Sequence, residues 1–110
     1  MSNNNNTVWK SNITQQLAAA LTTLDSIDNM QNFLRDVMTE KEIIEISSRL
    51  EAARMLTNGE SYLAVTNKTK LSSRTVARIS DWLKNGCNGY QTALQSVDLH
   101  HNHIPPASAE

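Results

Sequence analysis

Few residues in this 110-residue chain interrupt a helix: three glycines and two prolines in all. Long stretches run without the residues that punctuate turns, which favours helix over sheet. Cys87 is the only cysteine, so an internal disulfide is excluded and a reducing compartment fits. No apolar run is long enough to cross a bilayer and no charged-then-apolar leader opens the chain, so a soluble cytoplasmic protein without membrane contact is expected. Aromatics are scarce: Trp9, Phe33, Tyr62, Trp82 and Tyr90. Glycine-rich phosphate loops, a Ser-His-Asp order and paired-carboxylate motifs are missing, and Cys87 has no histidine at a useful spacing. The expectation is therefore no enzyme and no cofactor. His100, His101 and His103 have the donor chemistry for a transition metal, but no carboxylate or thiolate is placed to complete a site, so no metal is expected.

What is present is a concealed charge asymmetry. The net charge is −1. Residues 1–60 carry five basic and eight acidic side chains, a balance of −3. Residues 61–85 carry Lys68, Lys70, Arg74, Arg78 and Lys84 against Asp81 alone, a balance of +4. Binding phosphate needs local cations rather than a basic whole protein. The competing reading is that these cations are simply a solvated helix face.

The apolar periodicity divides the chain into helices. MSNNNNT, residues 1–7, is a polar low-complexity start expected to be disordered. From Val8, the residues Trp9, Ile13, Leu17, Leu21 and Leu24 fall on one stripe. Asp25 to Asp28 break it, and Ser26 or Asp28 can cap a second helix with Met30, Phe33, Leu34 and Val37 on its apolar side. Thr39-Glu40-Lys41-Glu42 has the form of a capping box. The helix it opens carries Ile43, Ile46, Leu50, Ala53 and Leu56, flanked by Ile44 and Met55, and Gly59 stops it. After the turn at 86–89, Tyr90, Ala93, Leu94 and Val97 predict a last short helix, and residues 98–110 read as a flexible tail. The domain is thus 8–97, all-α, with six helices.

Between Gly59 and Gly86 the stretch SYLAVTNKTKLSSRTVARISDWLKN reads as two helices and a tight turn. The second helix has a polar front (Ser72, Ser73, Arg74, Thr75) and an apolar back (Val76, Ile79, Leu83). A DNA-reading helix-turn-helix needs that division. The stripe from Trp9 to Leu24, together with Ile43, Ile44 and Met55, exceeds what such a unit can cover. A homodimer would cover it and present two reading helices about a twofold axis.

The segment FLRDVMTEKEIIEISSRLEAARMLTNGESY and the later TVARISDWLKNGCNGY resemble the Trp repressor superfamily, in its Trp repressor-like YerC/YecD branch. The landmarks are Phe33-Leu34, Thr39, Arg49, Leu56 through Gly59, Thr75-Val76, Arg78, Leu83 and Gly86 through Tyr90. The resemblance implies an intertwined all-α homodimer that binds operator DNA through the helix-turn-helix. It also implies that Arg49, Arg78 and Thr39 occupy the positions that surround tryptophan in the tryptophan-binding members. The residue after the second arginine is glycine in those members and Ile79 here, so the slot is expected to be filled by its methyl groups and tryptophan is not expected to bind. Three departures touch the motif. Thr66 stands where a small residue is usual, Thr69 where an apolar one is common, and Lys70 where glycine usually makes the turn. Lysine in a left-handed turn costs of order 1 kcal/mol relative to glycine, so a turn of different shape is expected.

Ser73, Arg74 and Thr75 are the candidates for base contact, with Arg74 suited to guanine. Lys68, Lys70, Arg78 and Lys84 are the candidates for phosphate, although Arg78 is equally suited to a carboxylate of the third helix such as Glu45. Trp82 is expected in the core or an interface, and Tyr62 is expected to pack the first helix of the motif. The expected function is a homodimeric regulator, a repressor of a palindromic operator, without tryptophan as corepressor. A dimeric helical module that binds protein rather than DNA is the alternative.

Overall fold

A computed structural model describes residues 3–99 of the chain. Among the described residues there is a 3-10 helix, Asn3–Lys10, followed by six α-helices. These are α1 (Asn12–Thr23), α2 (Ile27–Val37), α3 (Glu40–Thr57), α4 (Tyr62–Thr69), α5 (Ser73–Asn85) and α6 (Gly89–Leu99). None of them is long and apolar enough to cross a membrane. The backbone groups into two compact units, with the division after Glu45 inside α3.

The first unit shows how serine and threonine set helix starts. The apolar stripe predicts one helix from Val8, but α1 begins only at Asn12. Ser11 makes the difference: extended at φ −82° and ψ 138°, its hydroxyl accepts from the N–H groups of Ile13 and Thr14. The residues before it wind as the 3-10 helix, which spans most of the polar start 1–7; Met1 and Ser2 lie outside the described residues. Thr14 Oγ1 and Gln15 Nε2 donate to the carbonyls of Val8 (2.6 Å) and Trp9 (2.7 Å), tying this turn to α1. At α2, Ser26 rather than Asp28 is the cap, accepting from Asn29 N–H at 3.1 Å. At α3 the capping box forms in both directions: Thr39 N–H donates to Glu42 Oε1 at 2.9 Å, and Glu42 N–H donates to Thr39 Oγ1 at 3.1 Å. Neither α1 nor α2 buries a residue fully. Ile13 is 82 % exposed and Trp9 46 %.

The second unit holds the buried core of the chain. Ala52, Ala53 and Met55 from α3, Val65 from α4, and Val76 and Ile79 from α5 form one cluster. Leu56, Ala64, Leu71, Leu83, Tyr90 and Leu94 pack around it. The two alanines, both fully buried, let neighbouring helices close on α3 without bulk. Burying Val65, Val76 and Ile79 contributes roughly 1.5–3 kcal/mol apiece. Two expectations for α3 are corrected by this packing. Met55, placed among the side chains needing a second chain, is 5 % exposed within its own unit. Ile46, placed on the buried stripe, is 54 % exposed, as is Ile44 at 58 %. The fully buried residues of α3 lie in its C-terminal half, while Ile43 and Leu50 on the same stripe are half-buried.

α3 ends as its sequence suggests. Gly59 is left-handed at φ 88°, its N–H donates to Leu56 O at 3.0 Å, and the Glu60 N–H donates to Met55 O at 3.0 Å. That pair satisfies two of the carbonyls a helix end leaves open. At the end of α5 the device comes from elsewhere: Gln91 of α6 donates its side-chain N–H to Leu83 O. The expected last helix, Tyr90 to Val97, is observed as Gly89–Leu99. Residues 100–110, most of the expected flexible tail and all three histidines, lie outside the described residues.

Candidate nucleic-acid interface

The helix-turn-helix is α4, the three residues Lys70, Leu71 and Ser72, and α5. Ser61 caps α4 by accepting from Ala64 N–H at 3.1 Å. Ser72 caps α5 by accepting from Thr75 N–H at 3.1 Å. Two serines thus start the motif's two helices through the same kind of capping hydrogen bond.

The turn corrects one expectation. Lys70 adopts φ 65° and ψ 11°, the left-handed conformation that glycine would take. The shape is kept and lysine bears the strain. One of the sequence departures, Thr69, helps to hold it. Thr69 Oγ1 donates to Val65 O at 2.8 Å and accepts the Leu71 N–H at 3.3 Å, across the turn. Thr66 Oγ1 donates to Leu63 O at 2.9 Å, so its hydroxyl is satisfied inside its own helix. Lys70 N–H donates to Thr66 O at 2.9 Å, and Leu71 follows with its side chain against the core. A hydroxyl hydrogen-bonds across the turn at Thr69, where an apolar residue is usual, and Lys70 takes up the glycine conformation.

The candidate side chains divide by exposure. Ser73 and Arg74 are exposed at the front of α5. Thr75 is half-buried and its Oγ1 accepts from Ser72 Oγ at 3.1 Å, so it takes part in the cap. Lys68, Lys70, Arg78 and Lys84 are all exposed. Arg74, Arg78, Asp81 and Asn85 share one face of α5 at helical spacing, opposite Val76, Ile79 and Leu83. Asp81 is the one carboxylate on this face, and Asn85 Nδ2 donates to its Oδ1 at 3.0 Å. Trp82 stands 48 % exposed outside the buried cluster, so it is not a core residue of this chain. Tyr62, expected to pack α4, is 45 % exposed.

One charged group at the site escapes sequence reading. Arg54 donates from Nε and Nη2 to the two carboxylate oxygens of Glu51, at 2.9 and 2.7 Å. This bidentate hydrogen bonding holds the Glu51 carboxyl below its ordinary value; burial opposes the shift, and the charges of Arg54 and then Lys68 reinforce it. The negative charge is thereby kept beside Lys68 of α4. Glutamate and arginine at i and i+3 on a helix are too common a spacing to mark this pair in advance.

Of the residues placed by resemblance around a ligand slot, Arg49 and Ile79 belong to the second unit and Thr39 to the first. Ile79 is 2 % exposed, among the largest buried side chains. Burial pushes the Tyr90 phenol up, while the Arg49 charge works against that shift, so Arg49 lies within electrostatic reach of α6. Among the described residues no group of three or more His, Cys, Asp or Glu side chains is arranged to hold a metal ion.

Comparison with known proteins bears directly on this arrangement. A family model described as Trp repressor protein matches residues 12–98. An uncharacterized protein of Bacillus subtilis, YerC, is 33 % identical over 82 residues, covering 74 % of this chain and 79 % of that protein. The crystal structure of a TrpR-like protein from Eubacterium eligens superposes with a TM-score of 0.78 at 32 % identity, covering 84 % of this chain and 96 % of that one. A putative Trp repressor from Staphylococcus aureus superposes with a TM-score of 0.77 at 25 % identity, covering 84 % and 93 %.

Proposed function

The chain belongs to the Trp repressor protein family, and from that premise we propose that it is a homodimeric, sequence-specific DNA-binding repressor that works without tryptophan. The observation that carries this reading is the front of α5. A capped helix start exposes Ser73 and Arg74, with Lys68, Lys70, Arg78 and Lys84 exposed around it and the buried face turned away. In the reading, the first turn of α5 enters the major groove. Ser73, Arg74 and Thr75 meet base edges, with Thr75 also serving the cap, and the four other cations meet phosphates. Repression is steric: the bound dimer occludes the polymerase. The function is binding, with no catalytic step.

Homodimerisation is supported by the apolar side chains left open, among them Trp9, Ile13, Leu17, Ile44 and Ile46. A second copy covers such surface and relates two α5 helices by a twofold axis, with half-sites about 34–36 Å apart. The absence of a tryptophan response is supported by Ile79, whose side chain fills its place in the core. By the family resemblance, Arg49 and Arg78, in the same unit as Ile79, are then the remains of a slot that Ile79 occupies.

Selection from a random duplex pool, with the protein's mass measured in solution, tests the proposal. A palindromic product bound by a dimer is expected. Four phosphate contacts per protomer give a slope of log affinity against log salt of roughly −7. Failure to bind any duplex at low salt refutes the reading. It would favour the protein-binding alternative, to which the exposed Leu63 and Trp82 on the motif lend some support.

A further inference from the structure

Every glycine in the chain follows an asparagine: Asn58-Gly59, Asn85-Gly86 and Asn88-Gly89. This dipeptide is the one most prone to spontaneous deamidation, because glycine puts no side chain in the way of its own nitrogen. The Gly nitrogen loses its proton and attacks the Asn Cγ. A new C–N bond closes a succinimide, and the side-chain nitrogen leaves as ammonia, carrying the proton. Water then opens the ring at either carbonyl, leaving aspartate or isoaspartate. No oxidant or cofactor is involved.

All three asparagines are exposed, so exposure does not choose between them. The attacking nitrogen does. An N–H already donating to a carbonyl must break that bond before it can be deprotonated. Gly59 N–H donates to Leu56 O at 3.0 Å, inside the paired bonds that close α3. Gly86 N–H donates to Trp82 O at 2.9 Å, and the Asn85 leaving group is itself held by Asp81 at 3.0 Å. Gly89 is the first residue of α6, where helix N–H groups have no partner within the helix. Among the described residues no carbonyl accepts its N–H. Asn88 has a left-handed backbone, φ 68°, and stands just before the helix rather than inside it.

We infer that Asn88 is a deamidation site of this protein, and that folding protects Asn58 and Asn85 from the same reaction. The product places a new carboxylate at the start of α6, four residues beyond Lys84. As aspartate it suits the positive end of the helix. As isoaspartate it reroutes the main chain through one extra methylene and displaces the Asn88 carbonyl, which now accepts from Thr92 N–H at 3.2 Å and Thr92 Oγ1 at 2.9 Å.

The test is incubation of the full-length folded protein at mildly alkaline pH, followed by proteolysis and fragmentation mass spectrometry that localises each conversion. Asn88 converts first, and Asn58 and Asn85 lag severalfold. In urea the three rates converge, since the protecting bonds are gone. Gly89→Ala slows conversion at Asn88 severalfold without unfolding, because a Cβ there meets nothing within 4 Å. Equal rates at the three sites in the folded protein overturn the inference. So does an Asn88 rate suppressed by folding as strongly as the other two.

Discussion

Replacing Lys70 with glycine separates the backbone cost of the motif's turn from the charge the turn presents. Lys70 is left-handed at φ 65°, and its N–H is committed to Thr66 O at 2.9 Å. A residue with a Cβ bears about 1–2 kcal/mol in that conformation. Glycine removes this strain but frees the unfolded chain, returning roughly 0.5–1 kcal/mol. The net expectation is a stabilisation of about 0.5–1 kcal/mol, or a rise in Tm of roughly 2–8 °C for a domain of this size. Lys70→Ala is the matched control: it removes the same ammonium but keeps a Cβ, and so keeps the strain. Thermal and denaturant unfolding at one fixed protomer concentration should rank glycine above alanine, with alanine near the parent. Both variants should bind duplex DNA more weakly on all sequences, with a salt slope shallower by about one unit for each phosphate left without its lysine. A Lys70→Gly protein no more stable than Lys70→Ala refutes the strain argument. Unchanged salt slopes refute the phosphate role.

Arg74→Ala should flatten base preference at one position of each half-site by about 1–3 kcal/mol while leaving the salt slope nearly intact, read from binding to single-base variants of a selected operator. Gly86→Ala should destabilise by roughly 1–3 kcal/mol in denaturant titration, because its Cβ would lie 2.6 Å from the Trp82 carbonyl oxygen. Ile79→Val should cost about 0.5–1.5 kcal/mol in the same assay; calorimetric titration of the parent with L-tryptophan should give no binding heat, and micromolar binding would refute the filled slot. Glu51→Gln should cost about 1 kcal/mol near neutrality, where Arg54 holds the charged carboxylate. Since the folded-state value lies below the ordinary 4.5, that contribution is present above 4.5 and is lost as pH falls through the folded value. A difference between parent and variant that persists unchanged into strong acid would contradict this assignment.

Local hydrogen-bonding chemistry carried much of the fold in advance. The capping box at Thr39 and Glu42, the stop at Gly59 and the six-helix division depend on side chains within a few residues of the backbone groups they satisfy. Such signals are written in adjacent positions. The polar front and apolar back of α5 were legible for the same reason, since helical spacing puts Arg74 and Arg78 on one face and Val76 and Ile79 on the other.

Other features required the folded chain. Periodicity marks which α3 residues share a face, yet only the positions of α4 and α5 decide that Ala52, Ala53 and Met55 are buried while Ile46 is open. The start of α1 moved to Asn12 because the Ser11 hydroxyl competed successfully with an apolar stripe that runs through it. The turn kept its left-handed shape against residue preference, since the packing of Leu71 and the Thr69 hydrogen bonds outweigh about 1 kcal/mol of strain. The sequence by itself determined the family, the helices and the charged segment that faces outward, because each of these is set by neighbours along the chain. Only the tertiary structure decided which side chains are core, how lysine serves as a turn residue, and which Asn-Gly bond is left open to reaction. Those outcomes depend on partners brought together by folding.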